Sequence, residues 1–238
     1  MKNSHNFKFF STVTITSVFL LFISCGENST TSLEEADEFQ TCGDIETDVD
    51  GNSYQTVQIG DQCWLAEDLR TTKYRDGSTI SNVSDNNEWA ALSTGGWAYY
   101  ANNDLNSDIN GKLYNWFAVN NSNGICPSGW KVPTDNDWKI LETELGMTLE
   151  EANNEEWRGS DMNVGERLQD VDGFSAILGG SRASNGVFSS GGRNGIWWSS
   201  SEVQSVSAWT RLLRSEISGV YRNNSNKSFG LSVRCLLN

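Results

Sequence analysis

The chain is almost without histidine. Of its 238 residues only His5 is one, and it lies in an N-terminal segment that reads as a removable leader. Without an imidazole, the rest of the chain has no Ser-His-Asp triad, no Cys-His dyad and none of the usual zinc or iron ligand sets. It also lacks the commonest general base near neutral pH. Carboxylate-only chemistry and calcium binding survive that exclusion. No C-x-x-C pair is present, which removes the dithiol redox motif. Basic residues are scarce too: 17 Lys and Arg stand against 31 Asp and Glu, a formal net charge of −14. Such a chain repels nucleic acid, which is held chiefly through phosphate contacts, and an anionic bilayer repels it in turn. No internal repeat and no Pro/Gly-rich linker divides it. The length suits one domain with at most a small extension.

What is there begins with an address. Phe9 to Ser24 is uncharged and largely apolar, and it follows a short segment carrying Lys2 and Lys8. A basic start, an apolar middle and a small residue before the cut define a signal peptide over residues 1–24. Cys25 follows at once, behind Phe22-Ile23-Ser24, as in a bacterial lipobox with Phe22 where Leu is usual. The expectation is a thiol carrying diacylglycerol, so that lipid anchors a chain whose charge cannot. The run is short for a transmembrane anchor, and the flank after it is acidic rather than basic. Residues 25–41 are polar, acidic and aperiodic, a lipidated tether. The domain then occupies 42–238. The expected location is the bacterial cell envelope, as an outer-membrane lipoprotein facing the periplasm or the exterior.

Four cysteines remain beyond the lipidated one: Cys42, Cys63, Cys126 and Cys235. An even number in an exported chain implies two disulfides, with three pairings open. Ile45–Val49 and Tyr54–Ile59 flank Asp50-Gly51, a hairpin signal, and Gly60-Asp61 turns the chain again into Cys63-Trp64-Leu65. Trp89 to Asn110 reads as loop, and Leu113–Val119 as a buried strand or short helix. Pro133-Thr134 opens the clearest helix, with Thr134 as N-cap and Asp137 completing a capping-box-like pair. Trp138, Leu141 and Leu145 form its apolar stripe, Gly146 ends it, and Thr148 starts a second short helix. Strands are expected again at Phe174–Leu178, Gly195–Ser199, Ala208–Leu213, Gly219–Arg222 and Phe229–Leu236. Strands at both ends and helices between them make the class α+β.

Four segments, in order, carry a family likeness. They are TDVDGNSYQTVQIGDQCWLAEDLRTTKYRDGSTI at 47–80, GKLYNWFAV at 111–119, GICPSGWKVPTDNDWKILE at 124–142, and an ending of WWSSSE followed by VYRNNSNKSFGLSVRCL. They resemble the FISUMP domain (Fibrobacter succinogenes major paralogous domain) over nearly all of residues 43–238. VPTDNDW is also similar to the R-L-P-T-E-x-E-W segment of formylglycine-generating sulfatase-modifying enzymes, and FGLSVRC to their G-F-R-C ending. The resemblance implies a C-type-lectin-like fold: an irregular, loop-rich single domain with its N- and C-terminal strands paired. The enzymes' catalytic cysteines lie upstream of that ending. Here no Cys occurs between Cys126 and Cys235, so the oxidase chemistry does not carry over. The resemblance also implies that Cys126 pairs with Cys235, since CPSGW and SVRC both belong to the family core, leaving Cys42 for Cys63.

Two constellations are candidate sites. Asp104, Asn106, Asp108 and Asn110 place oxygen ligands at every second residue, a spacing calcium can use. Counted from Asp104 an EF-hand would find Gly at the eighth position, and counted from Asn106 it would find Phe117 at the twelfth, so this is no EF-hand. A plain Asn/Asp-rich surface loop is the simpler reading, and no other cofactor is implied. The ten tryptophans are the second. Lectin-like sites stack sugars on such rings, with Trp97, Trp197 and Trp198 the candidates. Trp197 and Trp198 are adjacent in a strand and face opposite ways, one toward a core and the other exposed or covered by a loop. The late strands and their loops, where lectin-like folds form ligand surfaces, hold Arg182, Arg193, Asn194, Trp198 and Arg222, groups suited to a glycan or a protein ligand. Gly191 to Gly195 is a hairpin turn, without the Lys-Ser/Thr of a phosphate loop. The composite reading is a lipid-anchored, non-enzymatic binding module. Its alternatives are a structural lipoprotein without a pocket and a carboxylate-dependent carbohydrate hydrolase.

Overall fold

The computed structural model describes residues 41–105, 110–170 and 173–238. The expected leader at 1–24, Cys25, all of the expected tether but residue 41, and Asn106 and Asp108 lie outside them. Asp48 sets the first turn. Its Oδ1 accepts the backbone N–H of Asp50 at 2.9 Å and of Asn52 at 3.0 Å, and Gly51 takes φ +85°. Glu46–Thr47 thereby folds back on Ser53–Tyr54, as Asp50-Gly51 predicts. Next, β1 (Thr56–Ile59) and β2 (Gln62–Leu65) form a second hairpin. Their sheet also takes β3 (Trp130–Lys131) and the closing strand Leu236–Leu237. Leu236 pairs with both Trp64 and Lys131, so the closing strand lies between β2 and β3, whereas the first strand, Glu46–Thr47, pairs only with Ser53–Tyr54. Every residue of β2 is buried, as suits a strand covered on both faces.

The stretch expected as loop between Trp89 and Asn110 is partly structured. Asp85 caps α1 (Asn86–Ala90) by accepting from the N–H groups of Asn87 and Glu88, and Trp89 is buried. Gly96–Ala98 is the centre of a three-stranded sheet between Ser81–Asn82 and Leu113–Tyr114. Buried Trp89 and Trp97 hold this region against the domain, although its composition is that of a loop. Leu113–Val119 is strand and helix in turn: Asn115 caps α2 (Trp116–Val119).

The capping box opens α3 (Asp135–Glu144) as expected, with Thr134 Oγ1 accepting from the Asp137 N–H and Asp137 Oδ2 from the Thr134 N–H. Such a cap contributes about 1 kcal/mol. Trp138, Leu141 and Leu145 are buried, and Thr148 caps α4 (Leu149–Asn153). After β4 (Glu156–Arg158) and α5 (Val164–Leu168), the chain builds a long meander of β5 (Asn194–Gln204), β6 (Ser207–Arg214) and β7 (Ile217–Asn226). β4 lies at its far edge, in the order β5-β6-β7-β4.

Two expected strands differ. Phe174–Leu178 is not a strand. Ser175 takes φ +53°, the Ala176 N–H bonds the Leu168 carbonyl at the end of α5, and Arg234 donates to the Phe174 carbonyl. Of Phe229–Leu236 only the end joins a strand, because its earlier residues bridge separately to Arg182, Tyr114 and Trp197. Two cores result. Trp97, Trp116, Trp130 and Trp198 share one, and Trp64, Trp138 and Trp197 share the other. Cys42–Cys63 and Cys126–Cys235 are the disulfides, with Cα atoms 5.6 and 5.9 Å apart, the pairing the resemblance implies. The architecture is mixed α+β and strand-dominated. Among the described residues no helix is long and apolar enough to cross a membrane.

Candidate ligand-binding surface

Register across the meander aligns Ile196, Leu212, Tyr221 and Trp157 in one row, and Trp197, Arg211, Arg222 and Glu156 in the next. Alternation sends the two rows to opposite faces. Ile196 packs against the core that holds Trp198. Farther across the sheet, Leu212, Tyr221 and Trp157 are only partly buried. The Trp157 and Tyr221 rings lie 5.1 Å apart at 53°. The Arg214 guanidinium is 5.6 Å from the Trp157 ring, and its Nε donates to Asn194 Oδ1 at 3.3 Å. Asn223 Nδ2 donates to Tyr221 Oη at 3.3 Å. Two rings, a cation and two amides are thus fixed on strands, where apolar area is offered with little rotamer entropy left to lose.

The other row is closed by α3. Asp135 accepts from Arg222 Nε at 3.0 Å and Nη2 at 2.8 Å, and from Arg211 Nη1 at 2.8 Å. Glu142 accepts from Arg211 Nε at 2.6 Å and pairs with Arg158. Arg222 also lies 3.6 Å over the Trp209 ring. Burial by itself would raise the pKa of Asp135. The hydrogen bond from Arg222 and the charge of Arg211 outweigh it and hold the carboxyl well below the usual range. Burial pulls Arg158 down to about 10, against the attraction of Glu142.

Residues 57–236 match the family model of the Fibrobacter succinogenes major domain. The chain belongs to this family. No curated protein and no solved structure matches it. In this Fibrobacter succinogenes major domain the recognisable motifs hold the fold. Arg234 of FGLSVRC is fully buried. Its Nε donates to Asp68 Oδ1 at 2.8 Å, its Nη1 to the Leu65 and Phe174 carbonyls, and its guanidinium lies 4.3 Å from the Phe174 ring. The same Asp68 oxygen accepts from Trp197 Nε1 at 2.8 Å, so the motif clamps β5 to the start of the domain.

Of the five residues expected on the ligand surface, Asn194 reaches the aromatic face, and Arg193 is exposed in the turn just before it. Trp198, Arg182 and Arg222 are corrections: all three are interior. Trp198 is fully buried, with Nε1 donating to the Tyr114 carbonyl at 2.8 Å. Arg182 is fully buried against the Trp89 and Phe188 rings, and it donates to the Gly186, Val83 and Ser84 carbonyls. Arg222 is held by Asp135. Trp97 and Trp197 are buried as well. Of the calcium candidates, Asp104 is exposed, Asn110 is partly buried, and Asn106 and Asp108 lie outside the described residues. Among the described residues no cluster of His, Cys, Asp and Glu could hold a metal ion. Sequence reasoning misses Trp157, Leu212, Arg214 and Tyr221. Tyr221 sits between Val220 and Arg222, and alternation marks it as outward, but the register that brings Trp157 beside it has no local signal.

Proposed function

We propose that this chain is a non-enzymatic glycan-binding module of the bacterial outer membrane, held there by lipid on Cys25 and built on a C-type-lectin-like fold. The observation that carries the reading is the partly exposed Trp157–Tyr221 pair on the open sheet face. Sugar rings present apolar C–H faces that pack on aromatic rings, while Arg214, Asn194 and Arg193 supply donors and acceptors for hydroxyl groups at the rim. Confinement of the sole histidine to the leader favours binding over hydrolysis. The leader at 1–24 and the acidic tether at 25–41 support export and anchoring. The test is a glycan and protein array probed with the full-length chain, beside its Trp157→Ala variant. Glycan binding that is lost in the variant supports the proposal. A chain that captures only proteins, or binds glycans equally well without Trp157, contradicts it.

A further inference from the structure

A separate groove of about 330 Å³ runs between the 93–95 loop and the turn after α2. Thr94, Gly95, Phe117, Asn120, Asn121 and Ser122 line most of it, and none of its lining residues carries a charge. In a chain of net charge −14, a neutral, amide- and hydroxyl-lined groove is a distinct chemical environment.

The two walls are tied together by one buried side chain. Asn115 is fully buried. Its Oδ1 accepts from the Gly96 and Ala118 N–H groups, each at 3.0 Å, and its Nδ2 donates to the Thr94 carbonyl at 2.9 Å. The loop and α2 are therefore positioned without any ligand. Gly95 is required for this closeness. A Cβ there would stand 2.0 Å from Tyr74 Oη and 3.0 Å from Ala118 Cα. The Tyr74 hydroxyl in turn lies beside the Asn121 side chain. Phe117, partly exposed, adds an apolar wall.

We infer that this groove binds a neutral pyranose ring, at a site distinct from the aromatic sheet face. Amides and hydroxyls can donate to and accept from a ring of hydroxyls, and Phe117 can cover its C–H face. No lysine or arginine lines the groove, the Lys227 ammonium behind the Trp116 ring is paired with Glu202, and the field of the acidic chain repels an anion. No carboxylate is present to pair a cation. The volume lies at the small end of ligand pockets, which suits one or two sugar rings.

The test is a titration of the ¹⁵N-labelled full-length chain, separately, with methyl β-D-glucopyranoside, methyl β-D-galactopyranoside, methyl α-D-mannopyranoside and sodium glucuronate. At least one neutral glycoside is expected to move the amide signals of Gly95, Phe117 and Asn121 saturably, with glucuronate weaker by about tenfold or more. Ser122→Arg, which puts bulk and charge at the rim, is expected to abolish those shifts. Thr94→Trp, a plug on the opposite wall, gives an independent reading should the first variant disturb folding. Trp157→Ala is expected to leave the shifts unchanged, which separates this site from the sheet face. The inference is overturned if no neutral glycoside moves these signals, if glucuronate binds equally well, or if the shifts survive both plugs.

Discussion

Trp197 and Trp198, neighbours in β5, are both buried, and each belongs to a different core. β5 is thus an internal wall, and neither ring is available to a ligand. Trp197→Ala and Trp198→Ala are each expected to destabilise the domain by about 3–5 kcal/mol, the range for deleting a large buried aromatic. Urea denaturation measures this. A variant with unchanged stability would place its ring at the surface instead.

Asp135 makes the domain acid-sensitive. Its folded pKa lies below its unfolded value of about 3.9, because Arg222 and Arg211 favour the carboxylate over the cost of burial. The stabilisation is therefore fully present above the unfolded pKa and is lost as pH falls through the folded one. Stability should decline below about pH 4. Asp135→Asn should flatten that decline while lowering stability at pH 7 by about 3–5 kcal/mol, because Arg211 and Arg222 lose the charge between them. Chemical denaturation from pH 2 to 7, on a scale of about 1.4 kcal/mol per pKa unit, checks both parts. An undiminished acid slope in the variant would assign the effect to other carboxylates.

The two disulfides should differ in worth. Cys42–Cys63 spans 21 residues and Cys126–Cys235 spans 109. Loop-closure entropy gives about 3 kcal/mol for the shorter and somewhat under 5 for the longer. Paired Cys→Ala variants compared by denaturation should follow that order. A larger loss from the shorter loop would mean that packing around Cys63, and not chain entropy, sets its value.

Cys25→Ala is expected to lose acylation and signal-peptidase II processing, and with them membrane retention. Metabolic labelling with radioactive palmitate reads the first directly. Undiminished label in the variant would remove the anchor from the proposed function.

Local signals in the sequence carried much of the fold. The Asp50-Gly51 turn, the Thr134 capping box and the Trp138, Leu141, Leu145 stripe depend on neighbours within a few residues, and each stands in the structure where its signal lies. The disulfide pairing was legible only through the family likeness. Phe174–Leu178 is not a strand because its apolar side chains fill one core while its backbone bonds α5 and Arg234, which no periodicity records. The ligand surface failed for a related reason. Arg182 and Arg222 look like surface groups, yet long-range carbonyls and Asp135 hold them inside. Trp157 and Tyr221 are far apart in the chain and meet only through strand register.

The most direct measurement of the central claim is the affinity of Trp157→Ala and Tyr221→Ala for a glycan that the full-length wild-type chain binds, taken with the melting temperature of each. Both rings lie on the outer face of formed strands and are partly exposed. The expected result is an affinity loss of about tenfold or more per ring, worth about 1.4 kcal/mol, at a melting temperature changed by no more than a few degrees. Retained affinity in both variants, with the fold intact, would contradict the assignment of this face as the ligand surface.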